Sequence, residues 1–383
     1  MPLVVDVHTH VYPPAYMRML RGRKTVPYVH DPFDNPNADP RLIILSSDDD
    51  PSIPLSHRGR PVDSSYWDIS VKLSFMRQHG INVSVISLAN PWLDFIEPAE
   101  AQMWAERIND DLEATCAKVN KEADPEGLLK LEDKESLFAM GALPLSAPEA
   151  SVVVGEIKRL KTLPHLRGVI MGTTGLGKGL DDRALDPVWE ALQESDTLMF
   201  LHPHYGLPDE AFGGTEATGR YGHVLPLALG FPLETTIAVT RMLLSGVFDR
   251  FPKLKILLAH SGGTLPFLAG RIESCILHER KFISGGGDVQ GPQRSIWDVL
   301  KTNIYLDAVV YGKPGLEAAI AASGSDRLMF GTDHPFFPPL DDKESDWPSV
   351  TTNYKAIHAT FEGKSDTVKD VLGGNAAQIL NLK

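Results

Sequence analysis

Two histidines one residue apart, in His8-Thr9-His10, close the first apolar run of the chain. In an extended strand residues i and i+2 share a face. Both imidazoles then point the same way, and two neutral imidazoles at that spacing can bind one divalent metal. A lone His-x-His is incidental about as often as it ligates. Three later runs end in the same chemistry: one finishes at His202, one at His260, and one leads into Asp333. Any one of these, alone, is most simply a hydrogen-bonded structural residue. Four strand ends that each deliver a histidine or an aspartate are better explained by one shared site.

Such convergence needs a fold that gathers strand ends. Eight short apolar runs have strand character: Val4–His8, Val83–Leu88, Leu137–Leu143, Leu166–Gly172, Leu198–His202, Ile256–His260, Asn303–Asp307 and Leu328–Thr332. Several are near-continuous Val, Ile, Leu and Phe, as in strands covered on both faces. Helical stretches alternate with them at Ile69–His79, Glu100–Lys121, Ala150–Thr162, Pro187–Ser195, Pro232–Ser245, Gly263–His278 and Pro314–Ser323. The alternation predicts an α/β fold, a closed (β/α)8 TIM barrel, whose active site assembles at the C-terminal ends of the strands. An open doubly wound sheet uses the same units, but no Gly-x-Gly-x-x-Gly loop follows the first strand.

Two stretches interrupt the pattern. Residues 11–66, rich in Pro, Asp and Ser, are expected to form a small capping insertion after the first strand, with a strand pair. Residues 203–231, with Gly213-Gly214 and Gly219, are expected to form a long loop at the same end. The tail from Pro348 to Leu382 has a helical pattern that would pack outside the barrel. Residues 1–383 are therefore expected to form one domain carrying the 11–66 insertion.

The 383 residues hold 37 Lys+Arg against 50 Asp+Glu, a formal charge of −13. That balance argues against nucleic acid as a partner. It leaves room for a small anionic substrate, which needs only a few local cations. No run approaches ~18 consecutive apolar residues, so no membrane partner is expected. Met1-Pro2-Leu3-Val4-Val5-Asp6 lacks the basic start of a secretory signal, and a cytoplasmic location is expected. Cys116 and Cys275 are too few for a disulfide framework.

His8-Thr9-His10, Leu201-His202-Pro203-His204, Leu258-Ala259-His260-Ser261-Gly262-Gly263 and Gly331-Thr332-Asp333-His334-Pro335 together resemble the metal-dependent amidohydrolase superfamily. Within it the chain is similar to the branch of aminocarboxymuconate semialdehyde decarboxylase, from the first strand to Gly373-Gly374-Asn375-Ala376-Ala377. The resemblance implies one divalent metal, Zn2+, held by His8, His10, His202 and Asp333. It gives His260 an acid–base or hydrogen-bonding role. Two-metal members bridge their ions with a carboxylated lysine at the end of the fourth strand, and Leu166–Gly172 contains no lysine. His204 and His334 are expected to be supporting or structural, and His57 a solvated loop residue.

Leu42-Ile43-Ile44-Leu45-Ser46-Ser47-Asp48-Asp49-Asp50-Pro51, Arg58-Gly59-Arg60-Pro61-Val62 and Ser87-Leu88-Ala89-Asn90-Pro91-Trp92-Leu93 are similar to segments of the isoorotate decarboxylases, which act on 5-carboxyuracil. That likeness implies a non-oxidative carboxy-lyase producing uracil and carbon dioxide in pyrimidine salvage. Aminocarboxymuconate semialdehyde, or a hydroxybenzoate such as resorcylate, is the alternative substrate. Arg60 can clamp a carboxylate in two-pronged fashion. Asn90 can pair with the uracil edge, and Phe336 and Trp92 can wall the ring. In the implied mechanism Asp333 passes a proton to the ring carbon bearing the carboxylate, and His260 assists; in the alternative route metal-bound hydroxide first adds to the ring, and sequence does not separate the two. The same ligands would also serve a hydrolase of a cyclic carboxylated substrate, because a fold does not settle a reaction. A non-enzymatic scaffold would be signalled by lost ligands, and none is missing. Decarboxylases of this branch are often homodimers with an arginine reaching the neighbouring site, for which Arg271 and Arg280 are candidates.

Overall fold

The computed structural model describes residues 2–32, 38–45, 48–121, 135–283, 292–341 and 345–382. β1 (Val5–Val11) is buried along its whole length. It is followed by a three-stranded antiparallel sheet, β2 (Tyr28–His30), β3 (Arg41–Ile43) and β4 (Arg60–Pro61). The barrel then continues through β5 (Val83–Leu88), β6 (Leu137–Ala142), β7 (Leu166–Gly172), β8 (Leu198–His202), β9 (Lys255–Leu258), β10 (Ile304–Asp307) and β11 (Leu328–Met329). The eight strands β1 and β5 to β11 pair in chain order, all parallel. Backbone bonds complete the circle: Val7 N donates to Phe330 O at 3.1 Å, and Asp333 N to His8 O at 2.7 Å. One apolar cluster runs from Val4 to Leu380 through the barrel and its surrounding helices.

The helices lie where the patterns put them, at Ile69–Gln78, Ala101–Lys121, Ala150–Leu160, Asp186–Glu194, Phe231–Leu244, Leu265–Ile283 and Lys313–Ser323. Pro348–Thr360, Ser365–Lys369 and Asn375–Ile379 make the helical tail. Two strands end two or more residues before their apolar runs do. The last leaves the sheet at Met329 because the Asp6 carboxylate takes both the Thr332 N–H, at 3.1 Å, and its hydroxyl, at 2.7 Å. Gly331 is required in this bend, since a Cβ there would lie 2.7 Å from that of His8. The sixth barrel strand stops at Leu258, and His260 opens a tight turn with φ 54°.

The insertion holds three strands rather than a pair, together with the helix Pro14–Gly22. Arg60 pairs with Leu42, and Gly59, at φ 57°, lets the chains approach where any Cβ would strike the Leu42 carbonyl. Ser46 and Ser47 of the cap motif lie outside the described residues. Residues 203–231 are not an open loop. They fold as a 3-10 turn at Asp209–Phe212, a helix at Thr215–Tyr221 and a π-helical turn at Pro226–Gly230 that runs into Phe231–Leu244. Pro226–Leu244, 19 residues of mean hydropathy 1.3, is long and apolar enough to cross a membrane by length and composition. In the fold Ala238, Val239, Met242 and Leu243 join the barrel core, while Ile237 and Leu244 are exposed.

Candidate metal centre

His8 and His10 from β1 and His202 from the end of β8 meet in the barrel mouth. Their ring centroids are 5.1 Å apart for His8–His10 and His8–His202, and 5.0 Å for His10–His202. Each ring is held through Nδ1: His8 by the Asp307 carboxylate at 2.6 Å, His10 by Ser87 Oγ at 3.0 Å, His202 by the Pro203 carbonyl at 2.7 Å. All three Nε2 atoms are buried and take part in no hydrogen bond. Asp333 joins them from the bend after β11, with Oδ1 3.2 Å from His8 Nε2 and 3.5 Å from His10 Nε2. Buried polar atoms normally find partners. Three imidazoles braced from behind, with free Nε2 atoms beside a carboxylate, could hold a divalent metal, and the residues fit that group. His260 is built differently. Its Nε2 is 3.6 Å from Asp333 Oδ2, and its buried Nδ1 has no hydrogen bond. Donor atoms of His8, His202, His260 and Asp333 lie within 4.8 Å of one another, so His260 borders the same space.

The charges agree with this arrangement. Burial would raise the Asp333 carboxyl, but His8, His10 and His260 outweigh it and hold the group well below the usual carboxylate range. Burial opposes charge on His8, yet Asp333 and Asp307 lift it to about 10. Burial lowers His10 to about 4 despite Asp333, with His8 adding to the fall. Burial, then His10 and His8, takes His202 well below its ordinary value. His10 and His202 are therefore neutral at physiological pH, the form that ligates. The proton that two carboxylates favour on His8 is one that a metal ion held there would displace.

The amidohydrolase family model matches residues 5–382. The chain belongs to the amidohydrolase family. Its structure is similar to that of the isoorotate decarboxylase (IDCase) of Metarhizium anisopliae in its apo form, with TM-score 0.86 and 48% identity, covering 99% of this chain and 97% of that one. It is 26% identical over 324 residues to the 2-amino-3-carboxymuconate-6-semialdehyde decarboxylase of Dictyostelium discoideum, covering 84% of this chain and 79% of the relative. The fold is also that of the 5-carboxyvanillate decarboxylase of Novosphingobium aromaticivorans, solved with manganese, at TM-score 0.73 and 21% identity over 100% of this chain and 96% of that one.

Of the residues expected to meet substrate, Phe336 lies against a site histidine, and Arg60 and Asn90 contact the segment after β8. Phe336 packs edge-on against His10, centroids 5.8 Å apart, and against Tyr66 at 5.7 Å. Arg60 rises from β4, and its Nη2 lies 3.4 Å from His223 Nδ1, joining the cap to the 203–231 segment. Asn90 uses one amide proton on the His204 carbonyl at 2.9 Å, which ties the end of β5 to the end of β8. Trp92 is buried beside the site: its indole N–H donates to Leu88 O at 3.1 Å, and its ring packs edge-on against His202 and His204 at 5.5 and 4.6 Å. His204 and His334 are buried supports, and His57 is exposed, as expected. Arg271 and Arg280 lie exposed on the helix Leu265–Ile283, and Arg280 donates to the Pro292 carbonyl.

Four further residues shape the centre. Asp307 orients His8 and also accepts the backbone N–H of His260 at 3.0 Å and of Ser261 at 2.8 Å, holding their left-handed turn. It ends a barrel strand, so the rule that singled out His202 points to it as well. The Tyr311 hydroxyl stands 3.5 Å from Asp333 Oδ2. Glu234 accepts the N–H groups of His204 at 2.9 Å and Gly206 at 2.6 Å, pinning the segment after His202. Lys72, buried and lowered to about 8 by that burial against the pull of Asp6, packs behind the strand ends. The helix periodicity marks Lys72 in part, since it shares a face with Phe75 and Met76, but which groups it meets is visible only in the fold.

Proposed function

We propose that this protein is a metal-dependent, non-oxidative decarboxylase that converts 5-carboxyuracil to uracil and carbon dioxide, a step of pyrimidine salvage. The observation that carries the reading is the 48% identity to the isoorotate decarboxylase, over nearly the whole of both chains. His8, His10, His202 and Asp333 hold the ion. When bound there it polarises the substrate carboxylate and the adjacent ring carbonyl. Zinc suits three imidazoles and one carboxylate, and manganese accepts the same donors. Elemental analysis of the purified chain decides between them.

The net change breaks the bond between the ring and its carboxylate, forms a C–H bond at the same carbon and consumes one proton. Asp333 divides its oxygens between these tasks, with Oδ1 toward His8 and His10 and Oδ2 toward His260 and Tyr311. Because its carboxyl rests ionised, the proton it gives to carbon is one taken up at Oδ2, with His260 as the adjacent donor. Arg60 balances the negative charge of the substrate from the rim, where a guanidinium keeps its charge. Phe336 offers the ring a flat apolar side, and the amide oxygen of Asn90 meets a uracil N–H. Exposures of 5% or less at His8, His10, His202 and Asp333 keep bulk water from the reacting carbon.

A homodimer belongs to the same reading. Phe267, 83% exposed, and Leu277 on the helix Leu265–Ile283, with Ile237 and Leu244 on its neighbour Phe231–Leu244, leave apolar surface uncovered. Native mass spectrometry that finds only monomer at micromolar concentration removes this part. For the reaction itself, zinc-loaded protein is expected to form uracil and carbon dioxide in equal amounts from 5-carboxyuracil, to stop on chelation and to recover with metal. A fully metal-loaded chain that leaves 5-carboxyuracil intact overturns the substrate and directs the search to a hydroxybenzoate or aminocarboxymuconate semialdehyde.

A further inference from the structure

Lys72 sits on the helix Ile69–Gln78 with no side-chain exposure, a placement lysine adopts only when its ammonium is engaged. Its Nζ donates to Thr9 Oγ1, lies 3.2 Å from His334 Nδ1 and stands 4.0 Å from Asp6 Oδ2. Thr9 separates His8 from His10, so strand alternation turns its side chain away from theirs. His334 follows Asp333. Lys72 therefore grips the reverse side of the two segments that supply three of the four proposed ligands.

Those segments come from opposite ends of the sheet. Among the described residues, β1 meets the stretch after β11 as an isolated bridge between Thr9 and His334, not as a regular ladder. His10 N donates to His334 O at 2.7 Å, and Thr9 Oγ1 lies 3.2 Å from the same oxygen. Asp6 holds Thr332 through both oxygens. Backbone bonds from Val7, Thr332, Asp333 and His10 cross this seam, side chains reinforce them, and Lys72 touches both partners of the bridge.

We propose that Lys72 is a positioning residue for the metal centre: by tying Thr9 to His334 it sets the distance between the His8–His10 pair and Asp333, and with it the affinity for the ion. The inference rests on the reading of those residues as a metal site. A charge pair that only stabilises the fold would act on stability and leave metal affinity alone, and the two effects separate experimentally. Removing one member of a buried pair strands the other, whereas removing both is often neutral for stability. Asn at position 6 also keeps an acceptor for Thr332.

The test compares full-length wild type, Lys72→Met and the double variant Asp6→Asn/Lys72→Met, each stripped of metal. Zn2+ affinity is read by competition with a chromophoric chelator, apo stability by thermal melting, and ligand geometry by the visible spectrum of the Co2+ form. Wild type is expected to bind one ion. The double variant is expected to melt close to wild type yet bind Zn2+ about tenfold more weakly or worse, with an altered Co2+ spectrum. If Lys72→Met does not fold, the double variant is read against Asp6→Asn alone, because Asp6 itself holds Thr332; equal Zn2+ affinity in those two overturns the proposal. Affinity within twofold of wild type in either folded variant overturns the proposal, whatever happens to the melting temperature. Wild type that binds no Zn2+ overturns the metal centre itself, and this inference with it.

Discussion

The floor of the barrel mouth and its rim are built on different principles. On the floor, His8, His10 and His202 are buried, and each is fixed by a hydrogen bond from behind. On the rim, Arg60, Asn90 and Phe336 are partly exposed and stand on separate segments. The cap meets the 203–231 stretch where Arg60 touches His223, at the long distance of 3.4 Å. A rigid floor preserves the demanding metal geometry, while a looser rim can change its contacts without disturbing it. That division fits a family whose members named above act on different carboxylated substrates over one fold.

If the division is real, floor substitutions should abolish chemistry or metal binding, and rim substitutions should change substrate affinity. Asp333→Asn is expected to lower turnover on the order of 10³-fold at saturating Zn2+, from its proton-transfer role; uracil formation at near-wild-type rates would remove that role. Asp307→Asn, which loses the brace on His8, is expected to weaken Zn2+ binding about 10- to 100-fold in chelator competition. Arg60→Gln is expected to raise KM for 5-carboxyuracil roughly tenfold, the loss of a charge-assisted hydrogen bond, with kcat nearly unchanged. An equal fall in kcat would place Arg60 with the floor.

The smallest expected effect is a pH dependence. Burial, then Arg60, lowers the proton affinity of His223 below its ordinary value. The neutral ring, which can accept from Arg60, is therefore favoured above about pH 6.5. As pH falls through the lowered folded value, the contact becomes a repulsion between two cations. KM should rise two- to threefold at the acid end in wild type and stay flat in His223→Asn, provided the metal remains bound.

Residues readable from sequence were those whose role follows from position in an element. His8, His10 and His202 sit at strand ends, and the eight apolar runs announce the barrel that collects them. The strand-end rule marks Asp307 too, but its pairing with His8, 299 positions away, is visible only in the fold. Asp333 was found, although its strand ends earlier than the apolar run, because Asp6 bends the chain without moving the carboxylate from the mouth. An aromatic beside a strand end can face the mouth or the layer behind it, and sequence does not say which; in the fold Trp92 packs on both His202 and His204. The third cap strand was missed because Arg60–Pro61 is too short to show alternation.

The bridge between Thr9 and His334 joins residues 325 positions apart. His8 and His10 leave the ribosome long before Asp333 and His334. The full proposed ligand set can therefore form only once the last barrel strand has closed on the first. A chain cut before that strand would hold zinc poorly, so metal uptake would serve as a record of barrel closure.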